Sequence, residues 1–146
     1  MPPTIAGSYI PSIGYHGLKS YSLFFAGHRV PASALLGGEE GKGFYQLMAT
    51  YESARIQTAA RAVGTAQGAF DAALRYSKER VQFGQPISEF QVIRHKLARM
   101  ATEIEAARQL TYHAAAVKDQ GRRADLEAGM AKYFAAEMAE RVTSEA

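Results

Sequence analysis

From Phe44 onward, apolar residues return every three or four positions: Phe44, Leu47, Met48, Tyr51, Ile56, Ala59, Val63, Ala66, Phe70, Ala73 and Leu74. That step marks one face of an amphipathic helix. It predicts a helix running to about residue 80, roughly 55–60 Å long at about 1.5 Å per residue. Gly64, Gly68 and many alanines lie on it, and small residues let neighbouring helices approach closely. A second run, Ile93, Leu97, Met100, Ile104, Ala107, Thr111 and Ala114, keeps the same step. It predicts a helix from about Glu89 to Gln120, ended by Gly121. Asp125 is the expected N-cap of a third helix, with Met130, Tyr133, Phe134, Met138 and Val142 as its apolar stripe. That pattern reaches Thr143-Ser144-Glu145-Ala146 with no glycine, asparagine or proline stop, so the third helix is expected to be incomplete.

Residues 1–40 read differently. Pro2, Pro3, Pro11 and Pro31, with Gly7, Gly14, Gly17 and Gly27, break any helical step. Tyr21-Ser22-Leu23-Phe24-Phe25 is a β-prone run, and His28-Arg29-Val30 is a candidate second strand. Two or three short strands cannot bury a core of their own, so this segment is expected to lean on the helices or on further chain. Gly37-Gly38-Glu39-Glu40-Gly41-Lys42-Gly43 lacks the Lys-Ser/Thr ending of a nucleotide loop. It reads as a flexible entry to the first helix, whose N-terminus Glu39 and Glu40 would favour through the dipole. The fold expected is mainly α: an antiparallel up-and-down helical bundle preceded by a short β segment.

Between the first two helices lies Arg80-Val81-Gln82-Phe83-Gly84-Gln85-Pro86-Ile87-Ser88-Glu89-Phe90-Gln91. Gly84 and Pro86 stop the first helix, and Ser88 with Gln91 three residues on is a capping-box signature for the second. The corner also carries Arg80, Gln82, Phe83 and Gln91, which a turn does not need. A guanidinium, two amides and an aromatic face can bind a phosphate-bearing, flat-ringed ligand. Spacing alone equally fits a capped turn with ordinary surface polars. Glu52 and Arg55 sit three apart on one helix face and can pair with each other or meet a ligand.

Composition narrows the function classes. With 146 residues, 47% hydrophobic and 21% charged, the chain is an ordinary globular domain in size and content. The net charge of +3 comes with no Lys/Arg block, so nucleic acid is not indicated. No stretch approaches the roughly 20 apolar residues of a membrane span. The N-terminus lacks signal-peptide character, and no cysteine is present; a reducing, cytoplasmic setting is expected. No metal site is expected from His16, His28, His95 and His113, which are scattered. His95 and His113 read as partly buried helix residues, His28 as a loop polar, and Glu103 and Glu105 as surface carboxylates.

A family resemblance resolves the corner. Arg29-Val30-Pro31, Leu35-Leu36-Gly37, Gly41-Lys42-Gly43-Phe44, Arg55, Ala62-Val63-Gly64, Ala66-Gln67, the Arg80 to Ile87 segment with Phe90-Gln91, Ala106-Ala107-Arg108, Ala131-Lys132 and Phe134-Ala135 occur in order. From about residue 12 to its end the chain resembles the C-terminal half of FAD-dependent acyl-CoA dehydrogenases, truncated at both ends. Within that family it looks more like bacterial enzymes acting on larger or steroid-like acyl chains.

The resemblance implies that residues 1–40 are the tail of a middle β-barrel and residues 41–146 an incomplete C-terminal bundle with three of its usual helices. It implies FAD as cofactor, reached by the corner from a neighbouring subunit. Arg80 and Gln82 would contact its pyrophosphate and adenosine side, Phe83 would lie beside them, and Gln91 would add another contact. Glu52 and Arg55 would lie along the acyl-CoA substrate. The parent would be a homo-oligomer, a dimer or tetramer, that passes electrons to an acceptor flavoprotein. The parent reaction would be α,β-dehydrogenation of an acyl-CoA thioester, in which a carboxylate removes the α-proton. No catalytic residue is assigned here. The usual base lies beyond residue 146, and the alternative position on the first helix is Ala54. Glu52 is roughly 60° away from that position at about 100° per residue. The alternative function is a noncatalytic helical oligomerisation module.

Overall fold

The computed structural model describes residues 4–14 and 17–146; Pro2, Pro3 and His16 lie outside them. The backbone divides into two compact units, Met1–Gly43 and Phe44–Ala146.

The first unit is a ribbon. β1 (Ile5–Ile10) pairs antiparallel with β2 (Ser20–Phe25), in register from Ile5 opposite Phe25 to Ile10 opposite Ser20. Tyr9 and Tyr21 face each other directly and their rings meet edge to face at 5.9 Å. Every residue of both strands is exposed. β2 matches the expected β-prone run, but its partner is β1 and not His28-Arg29-Val30. Gly27 takes φ +60 just before that tripeptide, and Pro31 follows it. His28 instead meets Thr4 Oγ1 at 2.8 Å through Nδ1. Short 3-10 turns at Ala32–Ala34 and Leu36–Gly38 complete the unit. Glu39 pairs with Lys42 at 3.6 Å, and the first helical turn contains no acidic residue. The expected dipole role of Glu39 and Glu40 is therefore not realised; both precede that turn.

The second unit holds three long helices: α1 (Gly43–Glu79), α2 (Gln91–Asp119) and α3 (Asp125–Glu145). Arg108 of α2 donates to Gln67 of α1, and Lys118 to Glu52, so the two run antiparallel. Arg99 and Arg141 bridge to Glu145 and Glu103 across α2 and α3, which are antiparallel as well. Glu103 thus ties two helices together instead of standing as a simple surface carboxylate. His95 and His113 are exposed, not partly buried.

The core is built from Ala59, Val63, Ala66, Met100, Ile104, Ala107, Ala114, Ala131, Ala135, Met138 and Val142. The α2 stripe is as expected from Met100 to Ala114. On α3 the buried face is Ala128, Ala131, Ala135, Met138 and Val142, while Met130 and Tyr133 are exposed. Alanines at this seam let α2 and α3 come closest together; α1 stands further off. Gly64 and Gly68 do not produce a close approach, since a Cβ built on either meets nothing within 4 Å among the described residues.

Helix ends differ in detail from expectation. α2 begins at Gln91, with Phe90 as N-cap and no side-chain cap bond. Ser88 lies upstream in a 3-10 turn, where its carbonyl accepts from Arg94 Nε at 3.0 Å. The capping box is therefore not formed. Asp125 falls inside the first turn of α3, and Ala124 occupies the N-cap position; Asp125 acts there through the helix dipole. Gly121, at φ +71, closes α2 as expected, its amide donating to the Lys118 carbonyl at 2.9 Å.

Candidate functional site

The corner between α1 and α2 is a miniature hairpin. β3 (Val81–Gln82) pairs with β4 (Gln85–Pro86), Val81 opposite Pro86 and Gln82 opposite Gln85. The Ile87 amide closes it on the Arg80 carbonyl at 2.8 Å. A two-residue hairpin loop matches strand twist when both central residues take positive φ. Here these are Phe83 at φ 52 and Gly84 at φ 83. Glycine adopts this freely, but a bulky residue does not. Phe83 is also 94% exposed, and its ring meets Phe90 edge to face at 6.2 Å. Backbone strain beneath an exposed aromatic is a pattern of functional sites.

Arg80, Gln82 and Gln91 are exposed. Among the described residues their side chains enter no hydrogen bond or ion pair. So the four corner residues expected from sequence are brought together, and their polar groups are unspent. A cavity of about 150 Å³ near the corner is lined by Tyr76, Ile87, Ile93, Leu97 and Met100 among others, and by none of the four corner residues. That is about half the roughly 300 Å³ at which small-ligand pockets begin. The corner therefore offers its groups outward.

Glu52 and Arg55 lie elsewhere. Arg55 precedes Arg80 by 25 residues, roughly 37 Å at about 1.5 Å per helical residue. Glu52 is only 7% exposed. Its carboxylate takes Lys118 Nζ at 2.7 Å and faces the Ala124 amide at 3.5 Å. Lys118's hydrogen bond holds the Glu52 carboxyl below its ordinary value; burial pulls the other way, and the Ala124 amide, the lysine charge and Asp125 lower it further. A carboxylate so stabilised is a poor proton acceptor. Glu52 meets Lys118 and not Arg55, a half-buried residue whose guanidinium has no partner among the described residues. Lys118 is the residue that sequence reasoning missed. It lies 66 positions from Glu52, and no local spacing signals the pair. No cluster of metal-ligating side chains occurs among the described residues, and no described helix is long and apolar enough to cross a membrane.

The family model for the acyl-CoA dehydrogenase C-terminal domain matches residues 41–146. The chain belongs to the acyl-CoA dehydrogenase family. It is 56% identical over 137 residues to (2S)-methylsuccinyl-CoA dehydrogenase of Cereibacter sphaeroides, covering 94% of this chain and 25% of that enzyme. Butyryl-CoA dehydrogenase of Megasphaera elsdenii superposes with a TM-score of 0.93 at 44% identity, over 98% of this chain and 37% of that one. A chain in the structure of the electron transferring flavoprotein of Acidaminococcus fermentans gives 0.92 at 45% identity, over 97% and 37%. The chain thus spans between a quarter and two fifths of these relatives. Its helical unit is an acyl-CoA dehydrogenase C-terminal domain with three helices, as expected from sequence.

Proposed function

We propose that this chain is the portion of an FAD-dependent acyl-CoA dehydrogenase that grips the cofactor's phosphate and adenosine side and part of the CoA groove, without supplying the catalytic base. One observation carries the reading: Arg80, Gln82 and Gln91 are exposed and unpaired around a strained, exposed Phe83. Guanidinium and amide donors recognise phosphate and ribose oxygens, and arginine does so in bidentate fashion. The aromatic face suits a flat base. Gln91 opens α2, so the positive end of that helix dipole adds to the attraction for an anion.

FAD, when bound, supplies the redox chemistry, and the protein contributes binding and orientation. Arg55 is the residue free to meet the acyl-CoA. Two carboxylates of these helices are held as poor bases: Glu52 on α1 by Lys118, and Glu105 on α2 by Gln109 and Arg108. On this reading the isolated chain does not turn over. The enzyme names above favour a short acyl group over the steroid-like one expected from sequence. An acceptor flavoprotein, a homo-oligomeric parent and a cytoplasmic setting belong to the same proposal. So does the assignment of residues 1–40 to the tail of a β-barrel, which the uncovered ribbon supports.

The test is FAD binding by the purified chain, wild type against Arg80→Ala, with oligomeric state read by light scattering. Binding weakened by Arg80→Ala supports the reading; binding unaffected by it refutes the role of the corner. A second reading, a noncatalytic oligomerisation module, draws on the open space over Gly64 and Gly68. It needs no FAD affinity, and a monodisperse monomer would count against it.

A further inference from the structure

Glu52 is the most buried charged side chain described in this chain, and it touches neither the corner nor Arg55. Its carboxylate meets an ammonium from the last turn of α2 at 2.7 Å. It also faces the amide of Ala124, fully buried, at the start of α3. The 3.5 Å contact is a weak tie and the lysine pair a strong one. Together they join all three helices at one end of the unit.

We propose that Glu52 is a positioning residue: it latches α1 to the α2–α3 turn and thereby sets the roll of α1 that presents Arg55 to a ligand. Sequence reasoning places Glu52 beside Arg55 on the ligand. The geometry separates their tasks, with Glu52 turned inward and Arg55 left to bind.

The physical case rests on three points. A buried carboxylate is tolerated only when paired and hydrogen-bonded, and Lys118 provides the pairing. Second, α1 lies further from α2 and α3 than they lie from each other, so backbone packing constrains its roll less than side-chain ties do. Gln67 of α1 also accepts from Arg108 of α2 at 2.8 Å, farther along the helix. Third, Arg55 is one helical turn from Glu52. A rotation of α1 by about 20° would move a side-chain tip at roughly 6 Å from the axis by about 2 Å, more than a hydrogen bond tolerates.

This inference rests on the proposed function for its ligand, but not for its latch. The experiment therefore has two arms on the purified chain. In the first, thermal unfolding followed by circular dichroism compares wild type, Glu52→Ala, Lys118→Met and the double variant. Each single change is expected to lower Tm by about 5 °C or more, and the double by much less than the sum. Additive losses would overturn the latch. In the second, butyryl-CoA binding is measured by calorimetry for wild type, Glu52→Ala, Arg55→Ala and the pair Glu52→Gln with Lys118→Gln. The amide pair keeps an acceptor for Ala124 and a hydrogen bond between α1 and α2 but removes both charges.

Glu52→Ala is expected to weaken binding about tenfold, as Arg55→Ala does, and the amide pair to restore it to within about threefold of wild type. If the amide pair binds as poorly as Glu52→Ala, Glu52 acts on the ligand by its charge and the positioning role is overturned. Absence of any binding by the wild type would refute the proposed function, while coupled melting would still support the latch.

Discussion

The two ends of α1 treat polar residues in opposite ways. Near its start, Glu52 is sunk in the interior and satisfied by Lys118. Past its end, Arg80, Gln82 and Gln91 stand in solvent with unspent donors, around a phenylalanine in a conformation that phenylalanine avoids. Satisfied, buried polarity specifies structure. Unsatisfied, exposed polarity on a strained turn is what a binding site looks like before its ligand arrives. Both ends contain an acid or base that sequence reasoning could offer to a ligand, and burial together with pairing separates them.

The largest effect expected concerns the helical shaft between these ends. Ile104→Ala, at a side chain 2% exposed, should cost about 2–5 kcal/mol. Urea unfolding should show this loss, with FAD affinity of the folded fraction unchanged. A selective loss of affinity would mean that the shaft does more than space the two ends.

Next, Arg80→Ala should weaken FAD binding by roughly 10–100-fold, the worth of a charged hydrogen bond. Its unfolding free energy should stay within about 0.5 kcal/mol of wild type. A large stability loss would erase the contrast between the ends.

Acid should act on the buried end. Glu52 titrates below its ordinary 4.5 in the folded chain, so its contribution is fully present above that value. The contribution is lost as pH falls through the lowered value, because the unfolded chain then binds the proton first. Lys118, Asp125 and the Ala124 amide are the groups facing it. Glu105 is lowered in the same direction by Gln109 and Arg108, and Glu145 by Lys96 and Arg99. Comparing unfolding curves of wild type and Glu52→Gln between about pH 6 and pH 3 therefore isolates Glu52. The variant should show the shallower decline, and parallel curves would remove Glu52 from the account.

The smallest stability change belongs to the hairpin tip. Phe83→Asn relieves the positive-φ strain but gives up the contact with Phe90, two opposing terms of about 1 kcal/mol each. Unfolding should therefore move little while FAD affinity falls, which a titration of flavin fluorescence would show.

Helix positions were legible because the three-four step survives any particular packing: α1, α2 and α3 lie where periodicity puts them. Which face is buried was legible on α2 and only partly on α3, where Met138 and Val142 are buried and Phe134 packs against the core as expected. Reading large apolar residues as core selects Met130 and Tyr133, whereas a close helix seam buries alanine. The partner of β2 was hidden because Gly7 and Ser8 dilute the β-prone character of Ile5–Ile10. The corner residues were legible through the family motif, since neighbours in sequence are neighbours in a turn. The pairing of Glu52 with Lys118 depends on the chain returning after 66 residues, which spacing does not encode; the corner hairpin is local, but Phe83 at a positive-φ loop position hides it from turn signals that look for asparagine or glycine there.

The alanine seam has a consequence for mutational tolerance. Ala107, Ala114, Ala128, Ala131 and Ala135 are fully buried, and a larger side chain at any of them would force α2 and α3 apart at a cost of about 1–3 kcal/mol. Arg80 and Gln82, by contrast, can change with hardly any penalty to folding. A saturation scan read out by abundance would therefore rank chemically inert methyl groups as the most constrained positions and pass over the corner. The same scan read out by cofactor capture would reverse that ranking, and the positions that trade places between the two lists would trace the boundary between scaffold and site.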